Sequence, residues 1–339
     1  MTRKRTKAGA RINEVAAAAG VSVMSVSRAM RGVEGVSAAT RDRIIEVARQ
    51  LKYVPNSSAR ALSVANADLI GISLPTFAND VFGDVLSGMR GTFEQAGYSS
   101  VIDTTEYDPD MELAWAERLL AWRPAAMILS GLDHHPALVT RLRERRVPTL
   151  EIWDHAPDPI DICVGIDHRA AGALIGEHVA ELGYKRPAYV GAPPGRDRRA
   201  DARVAGLRDV FGPLGRKLIV QGESDPNAFA AGALGTTRVL EHAPDVIFYL
   251  NDNMAFGGMM ICQQQGLDVP GDIGVAGYNA LGITRVLPVQ MTTVRTPRRA
   301  MGRVGARHLL ARIKGVRPER SVALPVTIVE GATTRLQSR

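Results

Sequence analysis

The chain has 339 residues, 45% hydrophobic and 23% charged, which suits two or three globular units with sizeable cores and excludes a disordered or fibrous protein. No apolar run reaches the length of a bilayer span, and the basic start Met1-Thr2-Arg3-Lys4-Arg5 leads into no secretory hydrophobic stretch, so a cytoplasmic location is expected. Cys163 and Cys262 stand far apart and outside any metal-ligand spacing, which argues for buried, reduced thiols and against a disulfide framework or a metal site.

The net charge of +7 is unevenly placed. Residues 1–66 carry twelve Lys+Arg against four Asp+Glu, leaving thirty basic and thirty-one acidic residues for 67–339. A basic head on a neutral body is what phosphate neutralisation requires of a nucleic-acid binder. Charge alone also fits a solvated basic tail, so a folded motif has to decide.

Ile12-Asn13-Glu14-Val15-Ala16-Ala17-Ala18-Ala19 has apolar residues at helical spacing and ends on Gly20, a residue suited to a left-handed C-terminal position. Ser22 is a good N-cap for a second helix, Val23–Met30, in which Val26 and Met30 point inward and Val23, Met24, Ser27 and Arg28 outward. A third helix is expected from Ser37 to Leu51, bracing a helix-turn-helix. The continuation is more specific. Val21-Ser22-x-x-Ser25-Val26-Ser27-Arg28, Val36-Ser37-x-x-Thr40-Arg41, Tyr53-Val54-Pro55-Asn56 and Ala59-Arg60-Ala61-Leu62 follow one another at tight spacing. This order resembles the DNA-binding end of the lactose-repressor (LacI/GalR) family, and the resemblance extends over nearly all of the chain.

The resemblance implies a division into a helix-turn-helix domain over 1–54, a hinge helix and linker over 55–66, and an effector-binding and dimerisation domain over 67–339. It implies that the second helix enters the major groove, with Val23, Met24 and Arg28 at base-reading positions. Arg28 suits guanine O6 and N7, whereas Val23 and Met24 suit thymine methyls. Ser22, Ser25, Ser27 and Asn56 then position phosphates, although a helix-local hydrogen bond is an equally good reading of each serine. Within the hinge segment, Ala59 belongs to the motif and Leu62 is the apolar wedge that kinks the minor groove.

From Leu69 onward strand and helix alternate: strand 69–74, helix 81–96, strand 98–104, helix 111–122, strand 125–130, helix 136–145, strand 147–152. A second series follows with helix 168–182, strand 188–191, helix 201–211, strand 218–221, helix 226–241, strand 246–250, helix 254–265 and strand 273–278, then a last strand-like stretch at 326–329. Two doubly wound α/β lobes with a ligand cleft between them are expected. The resemblance adds a periplasmic-binding-protein-like fold with crossovers near Asp167, Thr296 and Pro325.

By the same resemblance, Asn79-Asp80-Val81-Phe82 places Phe82 against a ring or carbon chain. Arg199-Ala200-x-x-Arg203-x-x-Gly206 contributes Arg199 and Arg203, and Asn251-Asp252-x-Met254 turns Asn251 to the cleft. Gly277-Tyr278-Asn279 carries Asn279 where the family usually has aspartate, which removes a negative charge from the pocket. Together with Asp154 in Trp153-Asp154 and with Arg295-Thr296-Pro297-Arg298, the pattern is similar to gluconate-type regulators. A sugar-acid inducer is therefore expected, with guanidinium groups suited to a carboxylate.

A neutral sugar or a corepressor in the same family is the alternative; a solute receptor is a weaker one, since the DNA-binding head has no place in it. No dinucleotide fingerprint, phosphate loop or nucleophile elbow appears, so neither an enzyme nor a cofactor is expected. His134-His135 reads as solvent-facing loop polarity. No leucine heptad follows Val329, so the expected partners are a palindromic DNA operator, a small effector and a second copy in a dimer.

Overall fold

Glycine and serine punctuation divides the start of the chain into three helices, α1 (Ile12–Ala19), α2 (Val23–Arg31) and α3 (Ala38–Gln50). The computed structural model describes residues 10–31, 34–53, 67–77 and 80–336, and the chain falls into two units, Met1–Ala67 and Asp68–Arg339. In the first unit α1 stops because Gly20 turns left-handed (φ 62°), and α3 starts where Ser37 Oγ accepts from the Thr40 amide at 3.3 Å. Val15, Ala19, Val26, Ala29, Ile44 and Ala48 form its buried core, with Met30 and Tyr53 packed against it. These side chains are small, so the three helices pack closely around a core only a few residues thick.

The second unit contains two six-stranded sheets. The first lobe orders its strands β11-β5-β4-β3-β1-β2, from β1 (Ala67–Leu74), β2 (Ser99–Thr104), β3 (Pro124–Ser130), β4 (Thr149–Asp154), β5 (Ile162–Ile166) and β11 (Ser321–Ala323). The second repeats that order as β12-β10-β9-β8-β6-β7, from β6 (Pro187–Gly191), β7 (Ile219–Gly222), β8 (Val246–Tyr249), β9 (Gly274–Asn279), β10 (Thr292–Arg295) and β12 (Thr327–Val329). β3, β4 and β5 are buried at nearly every position, so they read as continuous apolar runs and need helices on both faces. Those are α4 (Asp80–Gln95), α5 (Pro109–Leu120), α6 (Pro136–Arg145) and α11 (Arg298–Ile313); the second lobe uses α7 (His168–Glu181), α8 (Arg198–Phe211), α9 (Ala228–Val239) and α10 (Asp252–Gln264).

The chain passes between lobes three times: at Asp167 between β5 and α7, at Thr296–Pro297 between β10 and α11, and at Leu324–Val326 between β11 and β12. Helix pairs pack through glycine. A Cβ on Gly302 of α11 would collide with the Val85 carbonyl of α4, and one on Gly206 of α8 with the Arg169 carbonyl of α7. These are backbone-to-backbone contacts that no larger residue permits, and they account for the glycine that closes the arginine motif at Gly206.

Several elements depart from the sequence expectation. The helix expected at 111–122 begins at Pro109, because Asp108 caps it and proline fits its first turn, and it ends at Leu120, leaving Trp122 exposed. β5, β10, β11 and α11 were not expected as elements. β5 is only five residues long, and α11 carries two interior glycines and a broad arginine face, so its apolar stripe is faint in the sequence. No described helix is long and apolar enough to cross a membrane.

Candidate functional site

In the first unit, α2 buries Val26 and turns the other side outward: Val23 is 41% exposed, Met24 64%, and Arg28 is exposed one turn further along. The spacing of 23, 24, 27 and 28 puts them on one helical face. Arg28 extends over Gly35, where a Cβ would stand 3.1 Å from its Nη1. Ser22 Oγ accepts from the Ser25 amide at 3.1 Å and lies 2.9 Å from Ser25 Oγ, so both serines are engaged in capping α2. Ser27 is half-buried. An exposed apolar pair beside an arginine, on a helix without acidic residues, can meet base edges and phosphates together. Asn56, Ala59 and Leu62 lie outside the described residues.

In the second unit the strand C-termini of both lobes face one cleft of about 940 Å³, a volume in the range of small-molecule sites. Its wall runs from Thr76, after β1, past Ser130 and Asp154 to Asp167 and His168 at the crossover. In the second lobe it continues through Arg198, Arg199 and Asn251. Asn251 caps α10, its Oδ1 accepting from the Met254 amide at 3.0 Å.

The charged groups link the lobes. Arg199, from the first turn of α8, donates through Nε to Asp154 Oδ2 at 3.0 Å, at the end of β4 in the other lobe. Its neighbour Arg198 reaches Asp133 at 2.6 Å. Burial alone would raise the Asp154 carboxyl, but Arg199 and His168 outweigh it and hold the group well below the usual carboxylate range. His168 Nε2 is 3.3 Å from Asp154 Oδ1, and His168 Nδ1 accepts from Arg203 Nη1 at 3.3 Å. Burial, with Arg203 beside it, depresses the His168 pKa, so this imidazole is neutral near pH 7.

Arg203 is 6% exposed, and its guanidinium lies 4.3 Å from the centroid of the Tyr278 ring. Among the described residues no carboxylate comes within ion-pair distance of it. Its Nε lacks a hydrogen-bond partner, as do the buried Ser130 Oγ, Trp153 Nε1, Tyr189 OH and Tyr278 OH. Buried polar groups left open are what a bound ligand or ordered water satisfies.

Three expected residues, Asp154, Arg199 and Asn251, line the cleft, and Arg203 stands immediately behind His168. Asn279 is 9% exposed with φ 93°; its Oδ1 accepts from Thr296 Oγ1 at 3.3 Å, and its carbonyl accepts from Arg298. Phe82 does not stand in the cleft wall: it is 2% exposed and meets the Trp153 ring edge-on at 5.7 Å. Its apolar bulk fills the lobe core and fixes Trp153, because nothing polar near it compensates for turning it to water.

His134 corrects another expectation. Its side chain is 3% exposed, with Nδ1 donating to Glu112 Oε2 at 2.6 Å and Nε2 donating to the Gly131 carbonyl at 3.0 Å. Burial would lower its pKa, but Glu112 and Glu151 reverse that and raise it. His168 and His134 were invisible as site and core residues because a histidine beside an aspartate or in a loop carries no burial signal. The one available cue to His168 was its place directly after the crossover at Asp167.

The chain matches two family models: Bacterial regulatory proteins, lacI family, over residues 11–56, and Periplasmic binding protein-like domain over residues 177–334. It is 31% identical to the HTH-type transcriptional regulator GntR of Escherichia coli (strain K12), over 90% of this chain and 92% of that protein. Among solved structures it is similar to a LacI-family transcriptional regulator from Silicibacter pomeroyi, with TM-score 0.89 and 33% identity over 96% of this chain and 100% of that one. It also resembles the lac repressor dimer bound to operator and the anti-inducer ONPF, with TM-score 0.85 and 27% identity over 97% of this chain and 100% of that one.

Proposed function

The chain belongs to the lacI family of bacterial regulatory proteins, transcriptional regulators and not enzymes, and on that premise we propose that a sugar acid such as gluconate enters its interlobe cleft and releases it from a palindromic operator. The observation that carries the effector class is Arg203: a buried guanidinium with no carboxylate at ion-pair distance among the described residues. A buried unpaired charge costs several kcal/mol, roughly 3–5 in cases where one partner of a pair is removed. An anion that enters the cleft supplies the missing partner.

The local charge balance points the same way. Around Arg203 itself, Asp154 is already neutralised by Arg199, His168 is neutral, and Asn279 brings no charge. Ser130 Oγ lies in the cleft wall, and the buried Trp153 Nε1, Arg203 Nε and the Tyr189 and Tyr278 hydroxyls supply polar groups behind it that suit a carboxylate and hydroxyls once the lobes adjust around a ligand.

The mechanism follows from the three crossovers. A ligand held between β4 and α8 changes the angle at which the lobes meet, and the chain entering β1 carries that change towards residues 54–66 and the headpiece. In a two-fold dimer each headpiece reads one half-site through Val23, Met24 and Arg28, with Ser22, Ser25, Ser27 and Asn56 on phosphates and Leu62, beside Ala59, as the minor-groove wedge. The coupling is reciprocal, so operator and effector weaken each other by one factor. Calorimetry with gluconate and glucose, paired with operator gel shifts, tests the reading. Gluconate is expected to bind and release the operator; binding of glucose alone, or a ligand that tightens the DNA complex, would overturn it.

A further inference from the structure

Eight helix-to-strand turns among the described residues of the second unit each contain one residue in the left-handed region. Five use glycine: Gly97, Gly183, Gly215, Gly266 and Gly315. Ala243 stands in one, and arginine in the other two, Arg123 (φ 50°) before β3 and Arg146 (φ 52°) before β4. A side chain in this conformation costs about 1–2 kcal/mol. A cation at a helix C-terminus regains roughly 0.3–1 kcal/mol, but Arg143 and Arg145 already serve the last turn of α6. At Arg146 the helix terminus therefore offsets at most part of the cost of the left-handed backbone.

Both lie on one edge of the first lobe. Its strand C-termini face the cleft, so the turns that precede the strands form the opposite edge. Arg145, Lys314 and Arg317 share that edge, and all five cations are exposed with no carboxylate at ion-pair distance among the described residues. The nearby acids are largely taken: Asp158 lies 3.7 Å from Arg143 and 3.4 Å from Arg320, and Asp161 lies 3.0 Å from Arg312. Glu144 and Glu319 offset only part of the surplus. The second lobe has no such arginine at its left-handed turns.

The chain enters β1 at this same edge from the DNA-reading unit, and residues 54–66 separate the two. Thirteen residues extend at most about 45 Å, little more than one turn of duplex. We propose that this edge of the first lobe is a second DNA-contacting surface, where Arg123, Arg145, Arg146, Lys314 and Arg317 meet phosphates of duplex beyond the bases read by the headpiece. The contacts are sequence-independent and electrostatic.

The test uses the full chain with random-sequence duplexes of 16 and 40 base pairs, reading affinity against salt by fluorescence anisotropy. R123G/R146G removes both strained arginines, K314Q/R317Q removes two unstrained cations, and R208Q/K217Q removes equal charge from exposed positions of the second lobe. Each of the first two variants is expected to lose the wild type's preference for the longer duplex. The salt slope should fall by about 0.9 per lost contact, which is roughly five-fold in affinity per contact at 0.15 M salt. R208Q/K217Q should match the wild type, and the thermal midpoint of R123G/R146G should be no lower than that of the wild type. Unchanged slopes in the first two variants, an equal loss in R208Q/K217Q, or a lower midpoint in R123G/R146G would overturn the proposal.

Discussion

The two lobes share a strand order, yet the buried polar clusters around His134 and Arg203 are completed to different degrees. In the first, His134, Glu112, Ser73 and Glu151 satisfy one another: Ser73 Oγ donates to Glu112 Oε1 at 2.7 Å, and both ring nitrogens of His134 donate. In the second, Arg203 packs on Tyr278 and leaves its Nε and the hydroxyls of Tyr278 and Tyr189 open. The first lobe's own open atoms, Ser130 Oγ and Trp153 Nε1, stand at the cleft ends of β3 and β4. Completed networks hold a frame in one shape, whereas uncompleted ones mark where a ligand does the completing.

Breaking the completed network should cost the most. His134→Ala strands Glu112 and Glu151 in a buried site, and about 3–5 kcal/mol of stability should be lost in urea titrations. Arg203→Met breaks the other side of the contrast. Affinity for a sugar acid should drop on the order of 100-fold by calorimetry, since a buried charge-assisted contact is lost. The thermal midpoint of the unliganded protein should not fall, because the substitution removes an uncompensated charge. A midpoint that falls as far as in His134→Ala would show that Arg203 is structurally complete, and the contrast would fail.

A smaller change sharpens the charge argument. Asn279→Asp returns a carboxylate to the neighbourhood of Arg298 and should weaken an acidic effector by roughly ten-fold through like-charge repulsion, while sparing a neutral sugar. A pH dependence centred on Asp252 in the second lobe tests burial as the dominant influence on a carboxyl group. Burial pushes its carboxyl up to about 7 despite hydrogen bonds from Thr293 Oγ1 at 2.6 Å and the Leu281 amide at 2.5 Å. The folded state thus binds the proton more tightly than the unfolded chain does. The contribution of Asp252 to stability is present at acid pH and lost as pH rises from about 4 to about 7, by at most about 1.4 kcal/mol per pH unit. Asp252→Asn should flatten that dependence in urea midpoints measured between pH 4.5 and 7.5.

Local chemistry made much of the molecule legible. Gly20 and Ser22 delimit the first two helices because a left-handed stop and a hydroxyl cap act within a few residues. Alternating apolar strands and amphipathic helices announce a doubly wound unit for the same reason, whereas Arg203 was placed near the cleft only by the resemblance of its motif to the family's. What stayed hidden depends on partners far away in the chain. α11 is a helix whose Gly302 makes sense only against α4, more than two hundred residues earlier, and whose Gly305 packs on Leu150 of β4.

By itself, then, the sequence determined a basic reading head, two α/β lobes and the residues from which a ligand site is drawn. Only the tertiary structure decided how those residues are used. It gave Phe82 to the core, because an aromatic ring gains most by leaving water, and it set Asp154 against Arg199 across the cleft. It left Arg203 packed on Tyr278, with no carboxylate at ion-pair distance among the described residues. Burial and pairing are properties of surroundings, and in this chain the surroundings come from both lobes at once.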